Sequence, residues 1–393
     1  YKHKYNLEKD ISFLWYVNKQ QIIENLKNSN LFLFPSKIDS FWIVVLESMS
    51  IWRPVISLNK GWVGEIIKNW VNWFLVESEQ EFINKTYSLL TNNELLNKLQ
   101  TDSYLTLETT PTHEPTLEKI VSEIEKYDLA NKVDGFSTTD NPLAKLKYNA
   151  LFAALKLQTQ FKKPVIATMS MRDRNKIALQ SDLLGANDFD IRAILALTGD
   201  PAKMSDQPHT KGVFESNSIM LLEMIYSFNN GMDYAGKPFK TEPKTISPFA
   251  VINSYAKNFK TLEKKMYKKI QHGAVGLITQ PVYDIENVKV LLSHFENTKG
   301  GFKDERELAQ LVFGIFPITK LRTAQFLSSH VPGIHVPQDW IEALSKAAKT
   351  GTDEEYKVGM DLSKKLFEDL KKLHPKIHMM TANKFDIASE III

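Results

Sequence analysis

The chain has 393 residues, 43% of them hydrophobic and 24% charged, with a formal net charge of +3 and no cysteine. So thin a positive balance gives no support for a nucleic-acid groove, no apolar run reaches the roughly 18 to 20 residues that a membrane span needs, and no signal peptide is visible. Without cysteine there are neither disulfides nor thiolate metal ligands, which fits a cytoplasmic enzyme, and the length makes two domains the default expectation.

The first hundred residues predict an open α/β arrangement. Leu31–Ser36 reads as a short buried strand and turn, Trp42–Ser50 as an amphipathic helix and Pro54–Ser57 as a second strand. Gly64–Lys68 then reads as a helix start, Phe74–Glu77 as a third strand and Glu94–Asp102 as a terminal helix.

From about Ser103 the pattern becomes a strict alternation of strands and helices. The predicted strands are Tyr104–Glu108, Gly135–Thr139, Pro164–Met169, Ala193–Leu197, Ile246–Asn253, Gly276–Gln280, Leu311–Pro317 and Ile377–Thr381. Ala193–Leu197 is a continuous apolar run of strand length, as a strand buried on both faces should be. Eight such strands with helical spacers over roughly 280 residues is the arithmetic of a (β/α)8 TIM barrel. The expected domains are residues 1–101 and 102–393.

Chemistry in such a barrel gathers at the carboxyl ends of the strands. Glu108, Thr139, Ser170 with Arg172 and Asp173, Asp200, Asn253 and Gln280 stand there. No histidine cluster with metal spacing accompanies them, which favours acid–base or cofactor chemistry over a metal site. Asp200 also has a plain reading, since an acid after a strand often does no more than cap the next helix. Lys269 lies in the lysine-rich stretch Lys264–Lys269, where a solvated face and a phosphate contact are both open. Trp340 and His378 read as packing residues.

Six motifs carry a resemblance over residues 103 to 393. They are LETTP at Leu107–Pro111, STTDNP at Ser137–Pro142, MRDRN at Met171–Asn175, LTGDP at Leu197–Pro201, ITQPVYD at Ile278–Asp284 and GIFPIT at Gly314–Thr319. In order and spacing they are similar to methylenetetrahydrofolate reductase. The resemblance implies a non-covalent FAD, reduction of 5,10-methylenetetrahydrofolate to 5-methyltetrahydrofolate with NADH or NADPH as donor, and a homo-oligomer. It makes Glu108 the general acid, Asp200 the acid near both flavin and folate, and Gln280 the amide on the pterin. Thr139, Arg172, Asp173, Asp200 and Lys269 would lie on the cofactor side. The chain departs from some members at Thr168, where they carry a histidine.

The first hundred residues resemble instead the nucleotide-sugar-binding half of a retaining GT-B glycosyltransferase, through FPSKIDSFWIVVLESMSIWRPVISLNKGWVGEII. Asp39 and Glu47 occupy that family's pair of acidic positions, so Glu47 would bind ribose and Asp39 would lie near sugar or phosphates. The acceptor domain would lie upstream, so the fragment is expected to be inactive alone. Trp15, Trp42, Trp52, Trp62, Trp70 and Trp73 stand where that pattern has glycine. Glycine serves there for tight turns with positive φ and close approach to phosphate. UGA encodes glycine in some bacteria, so the exchange points to a decoding difference confined to this half. With no Pro/Gly/Ser-rich linker before the first barrel strand, two neighbouring genes joined end to end, or an assembly artefact, is the expectation rather than an evolved bifunctional enzyme.

Overall fold

The computed structural model describes residues 14, 17–29, 31–36, 43–50, 55–60, 63–67, 73–83, 86, 103–256, 258–302, 305–331 and 333–392. The chain divides into two compact units, Tyr1–Thr91 and Asn92–Ile393.

In the first unit β1 (Phe32–Phe34), β2 (Val55–Leu58) and β3 (Trp73–Val76) form a parallel sheet in that order. The helices α1 (Lys19–Asn28), α2 (Ile43–Ser50) and α3 (Val63–Ile66) accompany them. Both faces of β2 are covered. Val55 packs with Phe34, Val45, Val63 and Ile67, while Ile56 and Leu58 pack with Val76 on the other side, as parallel strands require. Asp39, Trp15, Trp42, Trp52, Trp62 and Trp70 lie outside the described residues. Trp73 heads β3 opposite Val55. A strand backbone suits any bulky residue, so the positive-φ argument for glycine does not apply at that position.

The second unit is a closed barrel of eight parallel strands. They are β4 (Tyr104–Thr109), β5 (Gly135–Thr138), β6 (Val165–Ser170), β7 (Ala193–Leu197), β8 (Ser247–Ile252), β9 (Gly276–Pro281), β10 (Gln310–Ile315) and β11 (Lys376–Met379). The expected strands are all present, Ala193–Leu197 with both ends as expected and the others with ends shifted by at most two residues. Tyr104, Ile166, Ala193, Leu195, Phe249, Ile278 and Val312 pack together inside the ring. With the side-chain period of two, this places Thr106, Glu108, Ser137, Gln280 and His378 on the inner face as well.

Around the ring run α4 (Glu118–Lys126), α5 (Leu129–Lys132), α6 (Ala150–Phe161), α7 (Lys176–Asp188), α8 (Ser218–Asn229), α9 (Phe259–Gln271) and α10 (Ile285–Lys299). Four of these helices start on an asparagine, Asn149, Asn175, Asn217 and Asn258, and α10 starts on Asp284. Each cap side chain accepts an orphan backbone N–H, worth about 1 kcal/mol. Between β10 and β11, α11 (Leu321–His330), α12 (Gln338–Thr350) and α13 (Thr352–Leu373) gather around a separate apolar cluster. Trp340 lies buried there, edge-on to Tyr283 with ring centroids 5.4 Å apart, so it packs as expected. The chain closes with α14 (Phe385–Ile391). Among the described residues no helix is long and apolar enough to cross a membrane.

Candidate active site

β4 carries Glu108 to the mouth of the barrel on its inner face. Its carboxylate remains partly open, and Oε2 lies 3.8 Å from Nε2 of His378, which β11 brings in from the neighbouring position in the ring. His378 is 2% exposed. Its Nδ1 is 2.8 Å from the Thr106 hydroxyl, and its Nε2 is 3.5 Å from the Ser137 hydroxyl. When Thr106 donates to Nδ1, the neutral ring carries its proton on Nε2, facing Glu108. The packing role expected of His378 is therefore too small, because the ring bonds polar groups of β4 and β5 inside the barrel. The sequence signal for it was its place in the strand expected at Ile377–Thr381, whose side chains alternate between the two faces of the ring.

Asp200 follows β7 and is held by a neighbouring loop: Leu143 N donates to its Oδ2 at 2.6 Å. Gly199 before it has φ +93°, and a Cβ there would meet Arg172 Cβ at 2.9 Å, so this strand end needs glycine twice over. Arg172 is buried. Its Nε and Nη2 reach Asp173 at 2.8 and 2.6 Å, and Nη2 reaches Asn141 O at 3.0 Å. The bond to Asp173 raises the guanidinium further above its ordinary value. Burial alone would raise the Asp173 carboxyl, but Arg172, helped by Asn141 and Arg174, holds it below the usual carboxylate range. A second pair lies beneath. Asp140 accepts from Arg174 Nη1 at 2.6 Å and from Ser170 N at 2.9 Å, and Arg174 Nε reaches Asp182 at 2.7 Å. Asp140, Asn141 and Arg174 were not singled out from the sequence, although Asp-Asn-Pro at Asp140–Pro142 is a turn signature.

Thr139 and Ser170 follow on β5 and β6, and the hydroxyl oxygens of both are buried without a partner. Buried hydroxyls in native proteins are ordinarily paired, so these are open for a bound group. Gln280 sits half-buried near the end of β9, beside a bulge where the register with β10 shifts between Val312 and Gly314. Lys269 comes from outside the ring. It lies on α9, and its amine donates to Val251 O at the end of β8. Burial, with Lys265 adding repulsion, pulls the amine down from 10.5 to about 8. A cavity of about 320 Å³ opens beside it, lined by Asn217, Ser218, Asn253, Lys265, Lys268 and Lys269 among others.

A flavin dinucleotide fits this donor set. Three lysines, one of them half-buried and lacking an anionic partner among the described residues, suit a diphosphate, and the unpartnered hydroxyls of Thr139 and Ser170 suit the polar edge of a ring. Among the described residues no three His, Asp or Glu side chains are grouped as metal ligands. The structure thus brings Glu108, Thr139, Asp200 and Gln280 to one end of one barrel, with Arg172 and Asp173 behind that mouth and Lys269 at its side. Glu47 is half-buried on α2 of the other unit.

A family model described as methylenetetrahydrofolate reductase matches residues 94–393. A second, glycosyl transferases group 1, matches residues 1–105. No curated protein sequence matches the chain. Among solved structures, the chain is similar to an uncharacterized protein from Clostridium thermocellum that binds two copies of 5-methyl-5,6,7,8-tetrahydrofolic acid. That likeness has 15% identity and a TM-score of 0.50, covering 77% of this chain and 99% of the other. An F420-dependent secondary alcohol dehydrogenase matches at 10% identity and a TM-score of 0.47, covering 74% and 98% of the two chains. For 2,3-dimethylmalate lyase the values are 10% and 0.40, with 76% and 82% covered. Likeness at these identities is one of fold.

Proposed function

We propose, for a chain that belongs to the methylenetetrahydrofolate reductase family, that the barrel reduces 5,10-methylenetetrahydrofolate to 5-methyltetrahydrofolate with a non-covalent FAD and a nicotinamide donor. The observation that carries this reading is one barrel mouth holding both a carboxyl–imidazole pair, Glu108 with His378, and a lysine-lined cavity with a buried amine. A methyltetrahydrofolate-binding protein of the same fold adds support.

The flavin, when bound, supplies the hydride at its N5. The residues prepare the acceptor. Glu108 gives a proton to the bridging nitrogen of the folate, so that the five-membered ring opens to an electrophilic iminium. His378 behind it keeps the carboxyl aimed and offers a proton on Nε2 as Glu108 loses its own. Asp200, held by the Leu143 amide, puts a negative charge at the mouth, where the cationic iminium develops. Gln280 has both an amide donor and an acceptor to read the pterin edge. Lys269, with Lys265 and Lys268 on the rim, holds phosphate, and Thr139 and Ser170 bond the ring edge. The balance is one hydride to the methylene carbon and one proton to the ring nitrogen.

Purified full-length protein is expected to show a flavin spectrum, bleached by NADH or NADPH and restored by methylenetetrahydrofolate. A colourless protein that cannot be reconstituted with FAD would overturn the assignment. The parallel sheet of the first unit and Glu47 on α2 are compatible with a nucleotide-sugar-binding fragment, to which we assign no catalysis.

A further inference from the structure

The loop after β5 has an unusual backbone. Asn141, Leu143 and Ala144 all lie at positive φ, 45°, 56° and 57°, a region that side-chain-bearing residues enter rarely and in which Leu and Ala gain no local hydrogen bond of their own. Such a run persists only where its surroundings hold it. Two contacts do. Arg172 Nη2 donates to Asn141 O at 3.0 Å, and Leu146 N donates to Asp206 Oδ1 at 3.1 Å. The turn so held directs Leu143 N–H at Asp200 Oδ2.

Arg172 also supports the segments on either side of Asp200. Its Cβ is the atom that a side chain on Gly199 would strike, so the residue before Asp200 rests on the Arg172 stem. Its carbonyl accepts from Val213 N at 2.7 Å, which ties down the long loop running on from Asp200. The guanidinium is 1% exposed as part of its residue and is engaged by Asp173 and Asn141. A group so enclosed is poorly placed to meet phosphate. We propose that Arg172 is a positioning residue for Asp200, acting through the left-handed turn Asn141–Ala144 that its guanidinium holds, and is not a ligand of the cofactor. The importance of Asp200 rests on the function proposed above; the clasp itself does not. The Leu143 amide thus tethers the Asp200 carboxylate through Oδ2.

The test uses full-length Arg172→Gln and Arg172→Lys, and Arg172→Gln combined with Leu143→Gly and Ala144→Gly. Glycine keeps the 143 amide and enters the left-handed region freely, so it should rescue a turn that has lost its clamp but not a fold that has lost its core. Without added flavin, hydrogen exchange over residues 141–147 is expected to quicken at least roughly tenfold in Arg172→Gln and to slow again in the triple variant. With FAD, reoxidation of the reduced flavin by methylenetetrahydrofolate should slow on the order of 100-fold, the effect of misplacing a reacting group by about 1 Å, while the FAD dissociation constant changes little. Unchanged exchange would show that Arg172 does not hold the turn. An FAD dissociation constant raised tenfold with reoxidation unchanged at saturating FAD would make Arg172 a cofactor ligand, and either result overturns the proposal. If no flavin binds to the wild-type protein, the proposed function fails, and the exchange measurement still decides the clasp.

Discussion

Lys269→Met tests whether the buried amine beside the mouth is kept there for an anion. Burial first, and the Lys265 charge second, bring that amine from 10.5 to about 8. At about 1.36 kcal/mol per pKa unit, keeping it protonated at pH 7 costs the folded state about 3 kcal/mol. Methionine fills similar unbranched volume without the charge, and forfeits the bond to Val251 O, worth roughly 1 kcal/mol. Without ligand the variant should therefore be more stable by about 2 kcal/mol, or roughly 4 °C in Tm for a domain of this size. Affinity for FAD or inorganic pyrophosphate should fall by roughly 10- to 100-fold, the worth of a charge-assisted hydrogen bond. The wild type carries a matching pH dependence. Its unfolded chain keeps this proton up to 10.5 and its folded chain only to about 8, so the contribution of this lysine to stability rises with pH between those values, and anion affinity falls as pH climbs past 8. Thermal melts without flavin and fluorescence titrations at pH 7 and 9 measure both effects. A methionine variant that melts lower and binds pyrophosphate as tightly as wild type would make Lys269 a structural strut, and the cavity would lose its claim as a phosphate site.

Glu108→Gln should slow flavin reoxidation by methylenetetrahydrofolate by roughly 10²- to 10⁴-fold and leave reduction by NADH or NADPH intact, as stopped-flow absorbance would show; equal losses in both directions would remove the general-acid role. His378→Phe leaves the buried Thr106 hydroxyl without its 2.8 Å partner and is expected to lower stability by about 1–3 kcal/mol in urea unfolding. Gly314→Ala puts a Cβ 2.4 Å from Thr279 O and 2.5 Å from Met380 Cε, so it should destabilise the barrel by about 1–3 kcal/mol. Gly185→Ala on α7, with nothing within 4 Å, should stabilise by about 0.4–1 kcal/mol, and the two melts compared separate close packing from helix propensity. Peptide mass spectrometry is expected to find glycine at positions 15, 42, 52, 62, 70 and 73; tryptophan at 52 ends the decoding reading.

What was legible in the sequence was local. β7 begins and ends where expected because an apolar run lies between Arg192 and Thr198, whereas Ile246–Asn253 contracted to Ser247–Ile252. Asn149, Asn175, Asn217 and Asn258 cap the helices that follow the strands, but the caps matter only once hydrophobic periodicity has placed the helices. The lysine-rich neighbourhood of Lys269 left a solvated face and a phosphate contact both open. The buried stripe Leu262, Met266 and Ile270 puts it at the flank of the apolar face instead, beside Ile270. Distant polar pairing left no local trace. His378 and Thr106 are 272 residues apart, and no window contains both. MRDRN is a charged stretch, yet Arg172 is buried, with Nε and Nη2 bonded to Asp173 and Asn141 O.

The two ends of the barrel follow different rules, and the difference itself points to the working end. At the amino ends of the strands polar groups are mostly paired: Asp134 accepts Leu105 N, His374 reaches Leu311 O, and Asp190 meets both Arg192 and Lys244. Left-handed residues there are single and lie beside helix ends, as Asp128, Lys162 and Asp190 do, where that conformation starts or stops a helix. Arg192 Nε and the Tyr104 hydroxyl are the exceptions there, buried polar atoms without a partner. At the carboxyl ends the departures accumulate. Asn141, Leu143 and Ala144 are left-handed within four residues, Thr139, Ser170 and Thr381 bury unpartnered hydroxyls, and Lys269 buries an amine against a carbonyl alone. Each is unfavourable for folding, and stability gives no reason to place them together. A ligand that pairs the hydroxyls and neutralises the amine supplies one, so the same departures that weaken the free barrel select the end at which folate and flavin should meet.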